Sequence, residues 1–335
     1  MLPLPNIIIS RTDSIGDVIL TLPVAGALKK QFPNIKIAFL GKRYTQPVIV
    51  CCEHVDVFID VEDFMHQEVS ILGAAPAAIL HVFPVRAIAE RAVSLKIPIR
   101  IGTTHRLYHW FTCNKWVSLS RKNSDLHEAQ LNLALLKPLA VSPTWHLEQI
   151  SGLFGFHKWE ALDVRYKQYL HPHKYNLILH PKSQGSAREW GIDNFVALIK
   201  LLDKERFHIL ISGTEKERES LSPLLNQCAS DVTDITGKMN LPQFIAFIAH
   251  CDGLVANSTG PLHIAAAVGI NSLGIFPPIR PMHPGRWAPL GTHASVLVKQ
   301  KNCSDCRKSA SSCHCIQEIS PIEVAIRLQQ SPRIH

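Results

Sequence analysis

Three short polar segments, each set directly after an apolar run, hold the residues best able to do chemistry. The first is Arg11-Thr12-Asp13-Ser14-Ile15-Gly16-Asp17-Val18. A glycine between a strand and a helix lets another backbone or a ligand come close. Asp17 then stands at a helix start. Its carboxylate could take a proton from an acceptor hydroxyl, or merely complement the helix dipole for about 0.3–1 kcal/mol. Asp13 and Ser14 read equally well as ordinary capping residues.

The second segment is His180-Pro181-Lys182-Ser183-Gln184-Gly185-Ser186-Ala187-Arg188-Glu189-Trp190. Lys182 and Arg188 could hold a diphosphate, the arginine in bidentate fashion; a solvated loop is the plain alternative. The third is Asn257-Ser258-Thr259-Gly260-Pro261-Leu262-His263. Pro261 suits a first helical turn, and Ser258 or Thr259 suits the N-cap. Backbone donors at such a terminus make a phosphate site, or only a structural cap. His263, one turn in, could face a ligand or be a packing histidine.

The elements that must position these segments alternate between strand and helix, twice over. Strands fit residues 6–10, 35–40, 55–59, 78–82 and 97–101 in the first half, and 176–180, 207–212, 253–257 and 272–276 in the second. Helices fit 16–31, 193–202, 215–227, 241–250, 261–268 and the stretch after Ser320. Within the first of them, Pro23 deletes a backbone donor. That helix either bends there or starts near Thr21, leaving Gly16 in a separate turn. Continuous apolar strands point to parallel sheets covered on both faces. Two such series make two doubly wound α/β domains, divided within the proline-bearing stretch 137–174. Ligands of open α/β sheets bind beyond the carboxyl ends of the strands, so a cleft between the domains is the expected site.

The 335 residues suffice for two cores, and 46% apolar with 19% charged content is that of a globular chain. No apolar run reaches the roughly 20 residues of a membrane span, and the start lacks a signal peptide's basic region. A cytoplasmic location is expected. The net charge of +8 fits phosphorylated substrates, or peripheral contact with the inner face of the cytoplasmic membrane. Without a long Lys/Arg block or aromatic-basic interleaving, nucleic acid is not an expected partner.

Taken together, the segments RTDSIGDVILTLP, HPKSQGSAREW, SGTEKERE, TGKMNLPQFIAFIAHCD and VANSTGPLHIAAAVG resemble, in order and spacing, glycosyltransferase family 9, the ADP-heptose:lipopolysaccharide heptosyltransferases. The resemblance runs across nearly the whole chain. It implies a GT-B fold, with an acceptor domain over 1–165 and a nucleotide-sugar domain over 166–335 that includes a Cys-rich tail and a terminal helix. It implies inverting transfer of a heptose from an ADP-sugar to a lipid-linked glycan acceptor of the lipopolysaccharide core. By this resemblance Asp17 is the general base, with Ser14 and Gly16 in its loop. Arg188 contacts donor phosphate, Thr259 and Gly260 form the phosphate turn, and His263 adjoins it. Glu217 (or Glu215) holds the ribose hydroxyls, and Met239 packs on the adenine. Cations and a helix terminus serve the leaving group, so no cofactor is expected.

Ser258 departs from the pattern, since many members carry Asp there against the donor sugar. A neutral hydrogen bond is about half as strong as a charge-assisted one. The donor sugar could therefore differ, or the chain could bind a nucleotide sugar without transferring it. A dehydrogenase fits less well, because the first loop lacks G-x-G-x-x-G. An epimerase would act on donor without acceptor. Of nine cysteines, Cys303, Cys306, Cys313 and Cys315 cluster. They could hold a structural metal, or be reduced thiols of a cytoplasmic protein.

Overall fold

Strand β1 (Asn6–Ser10) is buried at every position and lies in the middle of its sheet. With β2 (Lys36–Gly41), β3 (Val57–Asp60), β4 (Ala78–His81), β5 (Ile99–Thr103) and β6 (Lys115–Val117) it forms a parallel sheet of order β3-β2-β1-β4-β5-β6. The second half repeats the plan with β7 (Tyr175–His180), β8 (Phe207–Ile211), β9 (Val232–Asp234), β10 (Gly253–Asn257), β11 (Asn271–Phe276) and β12 (Ala294–Val298), in the order β12-β11-β10-β7-β8-β9. In this computed structural model, which describes residues 4–122, 124–280, 282–299 and 314–335, every strand pairing is parallel.

The chain divides into two compact units, Met1–Lys158 and Trp159–His335. Each closes its own core. In the first, Ile8, Leu40 and Ile79 of the sheet pack with Phe64, Ile88 and Ile97. In the second, Leu177, Ile209 and Val255 pack with Trp190, Phe195 and Leu221. The terminal helix Pro321–Gln329 adds Val324 and Leu328 to this second core, so it lies on its own unit against the helix Ile192–Leu201.

The expected helix 16–31 is two helices, Ile15–Ile19 and Leu22–Gln31, with Thr21 as the second N-cap and Pro23 in its first turn. A continuous helix would give the Leu20 carbonyl to the Val24 N–H. Here Val24 N–H donates to Thr21 O, and Leu20 O accepts the Asn132 amide at 3.0 Å. The expected helix 215–227 opens as a 3-10 turn, Glu215–Glu217, before Arg218–Gln227. Strands β6, β9 and β12 are additions, and all three are sheet edges.

Candidate functional site

In the first unit the sheet order reverses between β1 and β4, and ligands of open α/β folds gather at such a switch point. The β1 loop carries the predicted carboxylate there. Asp17 lies in the first turn of the helix Ile15–Ile19, paired with the Arg11 guanidinium and accepting the Ser14 hydroxyl. Gly16 occupies the same turn. Asp17 is therefore part of a side-chain network and not only a dipole partner.

Arg11 is almost wholly buried, which a charge tolerates only when paired. It contacts Asp13 at 2.7 Å, Glu128 at 3.0 Å and Asn132 at 3.4 Å besides Asp17. Arg121 also pairs with Glu128 and donates to Asn132 Oδ1 at 2.9 Å. Two cations thus face three carboxylates. Burial raises the Asp13 pKa above the usual carboxylate range; Arg11 opposes the shift and the nearby Asp17 adds to it. Asn132 completes the frame by donating to Thr21 Oγ1 at 3.1 Å, and that hydroxyl donates to the Asp17 carbonyl at 2.8 Å. Arg11, Arg121, Glu128 and Asn132 were not singled out from the sequence as parts of this site, and Asp13 was read as a possible capping residue. The available signal was Glu128 and Asn132 at i, i+4, which share one helix face. Beside them on β4, His81 is fully buried with neither ring nitrogen hydrogen-bonded among the described residues. Burial holds its pKa down to about 3, with His109 and Arg100 acting the same way.

In the second unit the order reverses between β7 and β10. Four loops follow the carboxyl ends of four neighbouring strands there: Ser258–Gly260 after β10, the Lys182 loop after β7, Thr214–Glu217 after β8 and Gly237–Met239 after β9. At roughly 4.8 Å per strand, the row spans on the order of 14 Å. Buried Asn257 ties the first two loops together. Its Oδ1 accepts the Trp190 N–H, and its Nδ2 donates to Pro181 O, both at 2.9 Å. The second and third loops meet where Gln184 Nε2 donates to Thr214 Oγ1 at 3.1 Å and His180 Nδ1 lies 2.9 Å from Ser212 Oγ. Gln184 and Gly185 take positive φ to make the turn. Burial lowers the His180 pKa to about 4, against the upward pull of Glu217 and Glu189.

Of the predicted donor residues, Glu217 is buried. Its Oε2 accepts the Thr214 N–H at 2.8 Å and hydroxyl at 2.9 Å, while its Oε1 has no partner among the described residues. Glu215, the alternative, is exposed and pairs with Arg218 at 3.4 Å. Lys182 is paired with Glu189, whose Oε1 also accepts the Ser183 N–H at 3.0 Å. Glu189 thus positions the lysine, a role that the sequence reading missed. Arg188 is half-buried in the same loop, and Met239 is half-buried beyond β9. Thr259, and not Ser258, takes the N-cap position of the helix Gly260–Val268, yet its side chain makes no capping bond. The buried Thr259 Oγ1 has no partner among the described residues. Ser258 is half-buried beside it, and His263 is buried one turn on.

A cation, a carboxylate oxygen, a hydroxyl and a helix terminus along one sheet edge suit a nucleoside diphosphate. Among the described residues no group of three His, Cys, Asp or Glu side chains could hold a metal ion. Cys315 is buried against Ile279, while Cys303, Cys306 and Cys313 lie outside the described residues.

Residues 93–317, well over half of the chain, match the sequence model of glycosyltransferase family 9 (heptosyltransferase). The chain is 23% identical over 318 residues to lipooligosaccharide heptosyltransferase 2 of Campylobacter jejuni, covering 92% of this chain and 94% of that protein. Its fold resembles the crystal structure of a family 9 glycosyl transferase from Veillonella parvula, with a TM-score of 0.80, 19% identity and coverage of 98% and 97%. It also resembles the E. coli ADP-heptose lps heptosyltransferase II, with a TM-score of 0.73, 18% identity and coverage of 97% of each chain. The two doubly wound units are thus those of the GT-B class, as expected. No helix of the described residues is long and apolar enough to cross a membrane.

Proposed function

The chain belongs to glycosyltransferase family 9, and from that premise we propose that it transfers heptose, or a closely related sugar, from an ADP-sugar to a glycan of the lipopolysaccharide core. The observation that carries this reading is the row of loops on the second sheet, where Glu217 Oε1 and Thr259 Oγ1 stand buried without partners among the described residues. Buried polar atoms are almost always satisfied, so two orphans on one binding edge call for a ligand's hydroxyls and phosphates. The relative named for ADP-heptose supports the choice of donor.

In the proposed mechanism Asp17 accepts the proton of an acceptor hydroxyl as its oxygen bonds to the anomeric carbon. The bond from that carbon to the diphosphate breaks on the opposite face, which inverts the centre and releases ADP. Arg11 and Ser14 hold the Asp17 carboxylate in place. Lys182, Arg188 and the amides beginning the helix Gly260–Val268 take up charge on the leaving group. Glu217 receives the ribose, Met239 packs on the base, and His263 supports the phosphate turn.

Ser258 favours a second reading, in which the sugar is not heptose, because a neutral hydroxyl replaces the carboxylate that many relatives present. The test is a screen of ADP-, UDP- and GDP-sugars that measures donor binding and product formation separately, with wild type and Ser258→Asp. Product from ADP-heptose alone supports the first reading. Product from another ADP-sugar, shifted toward heptose by Ser258→Asp, supports the second. Binding without product in every combination rules out transfer.

A further inference from the structure

Between 107 and 116 the first unit displays four large apolar side chains to solvent. Leu107 is 83% exposed, Phe111 86%, Trp110 55% and Trp116 43%. Leu107, Trp110 and Phe111 ride on the short crossover from β5 to β6, with its one-turn helix His109–Thr112, and Trp116 lies on the edge strand β6 that follows. Such a concentration of exposed apolar surface is unusual in a chain that stays free in water.

The charge around it is one-sided. From Arg91 to Ser124 the sequence holds seven Lys or Arg residues and no Asp or Glu. Arg91 and Arg100 are bound to backbone carbonyls and Arg121 to Glu128. Arg106, Lys115 and Lys122 are exposed, with no ion pair among the described residues. Each basic residue near an anionic bilayer adds attraction that salt screens.

The indoles are prepared for an apolar medium. Trp110 Nε1 donates to Thr104 O at 3.2 Å and Trp116 Nε1 to His109 O at 3.0 Å, while the rings stack 6.0 Å apart. An indole whose N–H is already satisfied can leave water without the cost of an unpaired donor. Rings stacked on one another are also less open to nucleic-acid bases, which bind by stacking on free aromatic faces. The crossover leaves β5 at the same carboxyl edge on which Asp17 follows β1. Those strands are two places apart in the sheet, or about 10 Å.

We propose that Leu107, Trp110, Phe111 and Trp116, flanked by Arg106, Lys115 and Lys122, dock the protein on an anionic phospholipid bilayer. The apolar side chains enter the interfacial layer and the cations meet the headgroups. This presents the Asp17 edge of the sheet to molecules anchored in that bilayer. Membrane docking does not depend on the identity of the donor, and its assay contains neither donor nor acceptor.

The test is flotation of the full chain with phosphatidylcholine vesicles, with and without phosphatidylglycerol. Binding is expected only to the anionic vesicles, weakening as salt rises, with brominated lipid quenching tryptophan fluorescence. Leu107→Ser with Phe111→Ser should lower the affinity roughly tenfold or more at unchanged thermal stability, since both side chains lie in solvent. Arg106→Glu with Lys115→Glu should remove the preference for phosphatidylglycerol. Undiminished flotation of the serine variant overturns the proposal. So does sedimentation velocity showing a dimer that the serine variant splits, or equally tight binding of a single-stranded oligonucleotide through these residues.

Discussion

Asn257 accepts the backbone N–H of Trp190 at 2.9 Å, and so fixes the end of the Lys182 loop to the end of β10. The same amide donates to Pro181 O, holding the start of that loop as well. Trp190 is fully buried, and its indole donates to Ile319 O at 2.8 Å. Asn257→Leu leaves a buried donor and a buried acceptor unpaired. A loss of about 2–4 kcal/mol in unfolding free energy is expected, together with weaker donor binding because the two loops are no longer tied. Urea unfolding and calorimetric titration with ADP measure the two effects separately.

Asp17→Asn keeps the shape and a hydrogen-bonding group but removes the basic oxygen. Turnover should fall by roughly 10²–10⁴-fold with ADP affinity unchanged, because the substitution lies in the other unit. Arg11→Met takes away the cation shared by Asp13, Asp17 and Glu128. Its mutual repulsion unrelieved, the cluster should hold protons more tightly. The acid limb of the kcat/KM profile then moves to higher pH. An unmoved limb assigns Arg11 a purely structural role.

Glu217 is held through one oxygen, leaving the other for a ligand. A site built to bind a hydroxyl rejects analogues that lack it, because its buried group is then unpaired. Glu217→Gln should raise the Kd for ADP about 10- to 100-fold. A 2′- or 3′-deoxy ADP should bind wild type poorly and be affected little by the substitution. Equal losses for ADP and both deoxy analogues place the carboxylate away from the ribose.

His81 and His180 both have pKa values depressed by burial, to about 3 and about 4. Above pH 6.5 each is neutral whether folded or unfolded and has no effect on the pH dependence. As pH falls below 6.5 the unfolded chain takes up protons that the folded chain refuses. Each such histidine then costs about 1.4 kcal/mol per pH unit until its folded pKa is reached. Stability should therefore decline from pH 6.5 toward 4. His81→Leu, which removes two nitrogens unpaired among the described residues, should make that decline shallower. Denaturant midpoints at intervals from pH 7.5 to 4.5 check this.

The sequence was most legible where burial is complete. Strands such as β1 and β10 are buried throughout with an apolar centre, and their bounds coincide with those read from the sequence. The edge strands β6, β9 and β12 are short or half-buried, so no continuous apolar run announces them. The predicted donor residues sit in local motifs, and the Thr259 and Glu217 turns lie where their strands end. Arg11 with Glu128, and Asn257 with Trp190, are pairings between distant segments. Nothing in the local spacing of either partner encodes them. Lys182 was legible as a cation, but its engagement with Glu189 depends on the path of the loop.

All-parallel pairing also governs the order in which the protein can be completed. Ile8 lies opposite Ile79, and Leu177 opposite Gly253, so β1 and β7, both buried throughout, gain their second neighbours only after long intervening chain has emerged. Until then the nascent polypeptide carries an open hydrogen-bonding edge, the condition under which newly made chains cling to one another. Those late seams are the same ones that His81 and Asn257 flank. The loops proposed to bind substrate thus reach their places only after these seams have closed.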